Sequence, residues 1–197
     1  MTKTLNVLLI SILLALAACG PSQKEIDSKE KAKQDSIANA SIAPKDFNAF
    51  LQEFITSVKE NKNQENYIHK DIGVYVYTNP GAFCSASKSI KMASLDTIKE
   101  ISLNNIYNRN PKGDFCEGYP GEKDGFYYFE TANDELPSYY DAASNGDKKV
   151  VLPANLNYKK FVKVNVIVGE SFKVDLYFTC IDSTWYLIGQ SFCDCSA

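Results

Sequence analysis

The chain has 197 residues, of which 45% are hydrophobic and 23% are charged, and its formal net charge is −3. Its lysines and arginines form no dense cluster, so the composition argues against a nucleic-acid-binding protein, which would present a basic surface. All 12 tyrosines, all 11 phenylalanines and the single Trp185 lie after residue 45. The sequence therefore predicts one domain over residues 46–197, preceded by a segment without core-forming aromatic side chains.

An apolar run near the start of the chain predicts an export signal. Lys3 precedes residues 5–18, which are interrupted only by Asn6 and Ser11. The run is shorter than the ~20 residues that span a bilayer. It is therefore typical of a signal peptide that is removed, and not of an anchor helix.

Residues 16–19, Leu-Ala-Ala-Cys, close this run and resemble the lipobox of bacterial lipoproteins. The resemblance implies that residues 1–18 are cleaved off and that Cys19 carries lipid. Two or three acyl chains would make the attachment to a membrane effectively permanent. The alternative interpretation is an ordinary secretory signal, or an uncleaved amphipathic start, with a cysteine near its end.

The residues after Cys19 bear on location within the envelope. Gly20 stands where an aspartate retains lipoproteins in the inner membrane of enteric bacteria, so an outer-membrane location is favoured. Residues 23–27, QKEID, resemble the short acidic tag that certain Gram-negative bacteria use to send lipoproteins to the cell surface, and a plain solvated spacer explains them equally well. Residues 20–45 have almost no large apolar side chains, so residues 19–45 are predicted to be a lipidated cysteine and a flexible tether.

The domain is predicted to begin with an amphipathic helix. Asp46 is a favourable N-cap, and apolar side chains recur at positions 47, 50, 51, 54, 55 and 58, with the helix ending near Glu60. A less regular apolar pattern between Ile90 and Leu103 predicts a second helix.

Strand patterns dominate the rest of the domain. Val74–Tyr77 is predicted to be a strand, and Gly125–Phe129 is the clearest strand within the acidic region 112–147. Three alternating segments follow and predict an antiparallel meander with one wet and one buried face. They cover residues 161–168, 172–180 and 185–192. The predicted fold class is α+β: an N-terminal amphipathic helix packed on a curved, mostly antiparallel sheet that ends in the three-strand meander.

This order of elements, together with the turn and tryptophan of residues 181–188, resembles the cone-shaped nuclear transport factor 2-like (cystatin-like) fold. That fold generally has three helices before its sheet, whereas two are visible here. A different α+β roll with a curved antiparallel sheet is the alternative.

Five cysteines remain once Cys19 is assigned to lipid, and in an exported protein they are disulfide candidates. They are Cys84, Cys116, Cys180, Cys193 and Cys195. An odd number leaves at least one thiol reduced or paired between chains. The favoured bridge joins Cys84 to Cys116, because both lie in glycine-containing loop contexts, and Cys180 is expected to pair with Cys193 or Cys195.

The sequence supports a metal site or a catalytic site less well than it supports disulfides. Cys193 and Cys195 with His69 would suit zinc or copper, but one intervening residue is fewer than zinc sites generally use. His69 is the only histidine, and no sequence feature orients it toward a cysteine nucleophile. Asp134 and Glu135 could serve as the carboxylate pair of a glycosidase, but acidic residues in a loop are usually only solvated. No metal, cofactor or catalytic residue is predicted.

The sequence thus favours a membrane-anchored envelope lipoprotein that binds a small ligand or an envelope protein, without enzymatic activity and without nucleic acid. One alternative is a small cavity enzyme of the cone fold. Its candidate polar residues would be His69, Tyr75, Tyr77 and Asp175. The other alternative is a structural component of the envelope.

Overall fold

The computed structural model describes residues 46–79, 83–112, 121–131, 136–154, 156, 158–169 and 171–193. The chain divides into two units, Met1–Ala43 and Pro44–Ala197, and every described residue belongs to the second unit. The predicted signal peptide, the lipobox at Cys19 and the tether lie outside the described residues. Among the helices of the described part, none has the length and apolar character needed to cross a membrane.

One α-helix, two short 3-10 helices and nine strands form the described domain. Helix α1 spans Phe47–Glu60, and the 3-10 helices span Gln64–Tyr67 and Asp96–Glu100. The strands are β1 (Val74–Thr78), β2 (Ser85–Ser89), β3 (Ile106–Asn108), β4 (Gly125–Glu130), β5 (Tyr139–Asp141), β6 (Gly146–Lys148), β7 (Tyr158–Val168), β8 (Ser171–Ile181) and β9 (Thr184–Ser191).

Seven strands form one mostly antiparallel sheet in the order β2-β1-β9-β8-β7-β4-β3. Strand β1 pairs with β9 in parallel, as β3 does with β4, and the other neighbours are antiparallel. Strands β5 and β6 form a separate two-stranded sheet. The predicted α+β class and the C-terminal meander of β7, β8 and β9 are confirmed.

Helix α1 has well-defined ends and an aromatic buried face. The Asp46 carboxylate accepts a hydrogen bond of 3.2 Å from a backbone N–H of the first turn, and Asn61 ends the helix in the left-handed conformation with φ 54°. The Phe47 ring lies 4.8 Å from the Trp185 ring and 5.6 Å from the Phe178 ring. The predicted amphipathic helix is confirmed, and it packs on the meander.

The predicted second helix is wrong, because that segment bonds to the sheet instead of to itself. Both backbone groups of Ala93 bind the buried side chain of Gln190 on β9, the N–H at 2.7 Å and the carbonyl at 3.3 Å. Only Asp96–Glu100 is helical, and it is a 3-10 helix. Its buried contacts come from Leu95, Ile98 and Ile101. This three-residue spacing suits a 3-10 helix.

Both faces of the sheet are covered, so the expectation of one wet face is wrong. The main core lies under α1, and a second cluster of buried side chains lies on the opposite face. The second cluster consists of Ile72, Tyr77, Leu136, Phe161, Ile181 and Ile188. Residues 136–154 supply part of its cover. Consequently Asn165 and Asp175, which the alternation assigned to solvent, are only 4% and 6% exposed.

A disulfide joins Cys84 to Cys193, with Cα atoms 5.7 Å apart and a sequence separation of 109. The predicted Cys84–Cys116 bridge and the predicted pairing of Cys180 with Cys193 are therefore wrong. The reason is topological: β9 runs parallel to β1, so its C-terminal end meets the connection between β1 and β2. Cys180 lies in the main core, and Cys116 and Cys195 lie outside the described residues.

We expect a non-reducing chymotryptic digest to yield a peptide pair that links Cys84 to Cys193. Replacement of both residues by Ser should lower the free energy of unfolding by about 4 kcal/mol, because closing a loop of ~100 residues restricts the unfolded chain by this order. Urea unfolding measures the loss, and the wild-type protein in reductant is the control. Recovery of Cys84 linked to Cys116 would contradict the assignment.

Candidate functional site

Strand β8 lies near the centre of the sheet, with β9 on one side and β7 on the other. Its side chains alternate between the two faces, as in any strand. Val174, Leu176 and Phe178 join the core beneath α1. Asp175 and Tyr177 therefore lie on the opposite face, and the polar chemistry of the domain is concentrated around them.

The register of four strands places polar and aromatic residues in two adjacent rows on that face. The first row contains Tyr75, Gly189, Tyr177 and Lys163, on β1, β9, β8 and β7. The second row contains Tyr77, Ser191, Asp175 and Asn165 on the same four strands. We call these eight residues the polar stripe.

Asp175 is the buried charge of the polar stripe. Its Oδ2 lies 2.7 Å from Nζ of Lys163, its Oδ1 accepts a hydrogen bond from the Asn165 amide, and the Tyr177 hydroxyl also donates to the carboxylate. Burial raises the pKa of Asp175, while the Lys163 ammonium and the hydrogen bonds oppose this rise. A buried charge is tolerated when it is paired and hydrogen-bonded, and these three neighbours meet that condition.

Tyr77 provides the opposite case, a buried polar group without a partner. Its side chain is 0% exposed, and its hydroxyl has no hydrogen-bond partner among the described residues. Its ring meets the Tyr139 ring edge-on, with centroids 6.5 Å apart. Burial raises the pKa of Tyr77, and the nearby phenols of Tyr75 and Tyr139 add to the rise. An unsatisfied buried hydroxyl costs about 1–3 kcal/mol, so this position calls for an explanation.

Gly189 allows the cover to approach the polar stripe. A Cβ atom at this position would lie 2.8 Å from Cδ2 of Leu136 and 3.2 Å from Cδ2 of Tyr177. The Tyr177 ring and the Leu136 side chain therefore occupy the space that any other residue would fill. Of the residues in and around the polar stripe, four are half-buried and form its rim toward solvent: Tyr75, Tyr139, Tyr177 and Lys163.

Three of the four polar residues that the sequence offered for a cavity enzyme come together in the polar stripe: Tyr75, Tyr77 and Asp175. His69 does not join them. Its ring lies edge-on to Tyr186, with centroids 5.0 Å apart, and its Nδ1 accepts the backbone N–H of Asp71 at 3.3 Å.

The metal interpretation based on Cys193, Cys195 and His69 loses a ligand, because the Cys193 sulfur is in a disulfide. Cys195 lies outside the described residues, as do Asp134 and Glu135. The described part of the chain holds no group of three or more His, Cys, Asp or Glu side chains arranged for a metal ion.

Sequence reasoning missed the partners of Asp175. Lys163, Asn165 and Tyr177 were interpreted as the wet side of alternating strands, and Ser191 and Gly189 were not considered. The available signal was that polar side chains interrupt two long neighbouring strands at matched positions, Lys163 with Tyr177 and Asn165 with Asp175. Alternation alone does not reveal that the face is covered.

A depression of about 500 Å³ lies elsewhere on the domain. Its walls include Gln52, Glu53 and Glu60 of α1, which belong to the outward face of the helix. These three side chains are exposed to solvent. The buried Ser57 also lines the depression, and its hydroxyl already donates to the backbone carbonyl of Lys62. The polar stripe is the better candidate site, because it combines a buried ion pair with an unpartnered hydroxyl.

Comparison with protein families, with curated proteins and with solved structures finds no match to the chain.

Replacement of Lys163 by Met should destabilise the domain by about 3–5 kcal/mol at pH 7, since the buried Asp175 charge would lose its partner. Without the ammonium the pKa of Asp175 in the folded protein rises further. On acidification the carboxyl is therefore protonated at a higher pH in the folded protein than in the unfolded protein. The deficit should therefore shrink as the pH falls toward the ordinary aspartate range.

Urea unfolding at pH 7 and at pH 4.5 measures this change. The double variant Lys163→Met/Asp175→Asn, which has neither charge, is the control and should show a smaller deficit that does not depend on pH. An equal deficit of the single variant at both pH values would contradict the burial of the Asp175 charge.

Proposed function

We propose that this protein is a lipid-anchored lipoprotein of the bacterial envelope whose domain is a non-enzymatic binding module. The lipobox at residues 16–19 supports the anchor, and the polar composition of residues 20–45 supports a tether between lipid and domain. Residues 1–18 would be removed on export. Gly20 and residues 23–27 favour the outer membrane and its outer surface as the destination.

The disulfide between Cys84 and Cys193 supports export from the cytoplasm. Structural disulfides persist in oxidising compartments such as the periplasm and the cell surface, and they are rare in the cytosol of most bacteria. The pairing therefore agrees with a cleaved export signal. It also leaves Cys19 to the lipid.

The observation that supports a binding role is the difference in hydrogen bonding within the polar stripe: one buried polar group has all its partners and another has none among the described residues. Both carboxylate oxygens of Asp175 are engaged, by Lys163 and by Asn165. A carboxylate held in this way is poorly placed to exchange a proton with a substrate. The Tyr77 hydroxyl, in contrast, is unbonded among the described residues and would bond to a polar atom that reached it.

The finer features of the fold belong to the same proposal. Register shifts occur between Tyr177 and Phe178 on β8 and between Val166 and Ile167 on β7. Bulges of this kind bend strands and increase their twist, which supports a curved sheet. The likeness to the nuclear transport factor 2-like fold rests on element order, with one α-helix in the described part.

Replacement of Cys19 by Ala should abolish labelling of the protein by radioactive palmitate and release it from the membrane fraction, because the acyl chains would have no attachment site. The matched control is Cys195→Ala, which removes a different cysteine and should leave both properties unchanged. Labelling and membrane retention of the Cys19→Ala variant would contradict the anchor. Protease added to intact cells tests the outer-surface location, which requires loss of the domain.

A further inference from the structure

The Tyr77 hydroxyl lies at the centre of a group of phenols. Tyr75 shares its strand and its face, Tyr139 packs edge-on against its ring, and Tyr77 is close enough to Tyr177 to contribute to the raised pKa of the Tyr177 hydroxyl. A phenol both donates and accepts hydrogen bonds. A ligand at this position therefore meets several hydroxyls, each of which can donate a hydrogen bond to the ligand or accept one from it.

The charges of the polar stripe cancel. Lys163 and Asp175 contribute one charge of each sign and bind each other at 2.7 Å. An ionic ligand needs an uncompensated charge of the opposite sign, which this arrangement does not offer. An apolar ligand would leave the Tyr77 hydroxyl unsatisfied and would retain its desolvation cost. The stripe thus selects against both kinds of ligand.

Aromatic faces complete the chemistry of the site. The half-buried rings of Tyr75, Tyr139 and Tyr177 form its rim. The face of an aromatic ring carries partial negative charge and attracts weakly positive C–H groups. A neutral molecule with hydroxyls on its edges and C–H groups on its faces fits these requirements together. We infer that the polar stripe and Tyr139 bind a neutral carbohydrate, an inference that rests on the proposed binding role.

Access to Tyr77 requires movement of the cover that carries Tyr139. That residue lies on β5, which with β6 forms a sheet of its own. A backbone hydrogen bond of 2.7 Å from Tyr140 to Cys84 and stacked rings of Tyr140 and Phe83, 4.5 Å apart, hold the hairpin to the main sheet. A short two-stranded sheet is weakly stable alone, so its local opening requires less free energy than unfolding of the whole domain. The ligand would enter beneath Tyr139, which would stay in the rim of the site, and would bond to the Tyr77 hydroxyl.

The test is a titration of the purified protein followed by thermal shift and by NMR of the tyrosine rings. The carbohydrate probes are glucose, galactose and N-acetylglucosamine, each as the free sugar and as a linear oligosaccharide, up to about 10 mM. The comparison probes are a tetraglutamate peptide and octanoate. Binding of a free sugar identifies a soluble ligand, whereas binding of oligosaccharides alone identifies a glycan chain.

Tyr77→Phe is the diagnostic variant. It removes only the unpartnered hydroxyl, so its melting temperature without ligand should equal or exceed that of the wild type. Its dissociation constant for the bound carbohydrate should rise at least tenfold, on the order of one lost hydrogen bond. The matched control is Tyr107→Phe, which removes a hydroxyl from edge strand β3 of the same sheet and should leave affinity unchanged.

The outcomes separate this inference from the proposed function. If no carbohydrate binds, or if Tyr107→Phe weakens binding as much as Tyr77→Phe, the inference is wrong. If the peptide or octanoate binds instead and depends on Tyr77, the carbohydrate inference is wrong and the binding role of the domain stands. Membrane release of the Cys19→Ala variant is independent of every result in this titration.

Discussion

The ion pair between Lys163 and Asp175 constrains the arrangement of the central strands. The two residues lie on adjacent strands within the sheet; the Asp175 carboxylate is largely removed from water, whereas Lys163 is half-buried. A shift of the β7–β8 register by one residue would move Lys163 to the face beneath α1. There it would meet the apolar core, while Asp175 would remain buried without a partner. The ion pair therefore specifies the register as well as compensating the charge.

That register determines which residues face the rest of the sheet. Because β8 pairs with β9 and β9 pairs in parallel with β1, the row that holds Asp175 continues to Tyr77. The disulfide between Cys84 and Cys193 fastens the same corner of the sheet. The result is a polar face with two ends. At one end the charges and hydrogen bonds are matched, and at the other the buried Tyr77 hydroxyl has no partner among the described residues.

The parts of the fold that the sequence predicts are those with a local pattern. Helix α1 and the three meander strands show regular apolar spacing, whereas β2 has the sequence SASKS and gives no strand signal. Asp175 is identifiable from the sequence as a candidate site residue, but its partner Lys163 is predicted to be exposed to solvent. The alternation of side chains distinguishes the two faces of a strand without showing what covers them. The Cys84–Cys193 bridge depends on a parallel pairing between distant strands, which no local pattern encodes.

The covered polar face is tested most directly by the pKa of Asp175, measured from the pH dependence of its side-chain carboxyl ¹³C shift in labelled protein. Burial predicts a pKa above the ordinary value of 3.8, despite the nearby ammonium of Lys163. The carboxyl should also remain protected from solvent throughout the titration. A pKa below 3.8 would show that the ammonium of Lys163 outweighs burial. A pKa of 3.8 together with free access of water to the carboxyl would contradict the covered face on which the proposed site depends.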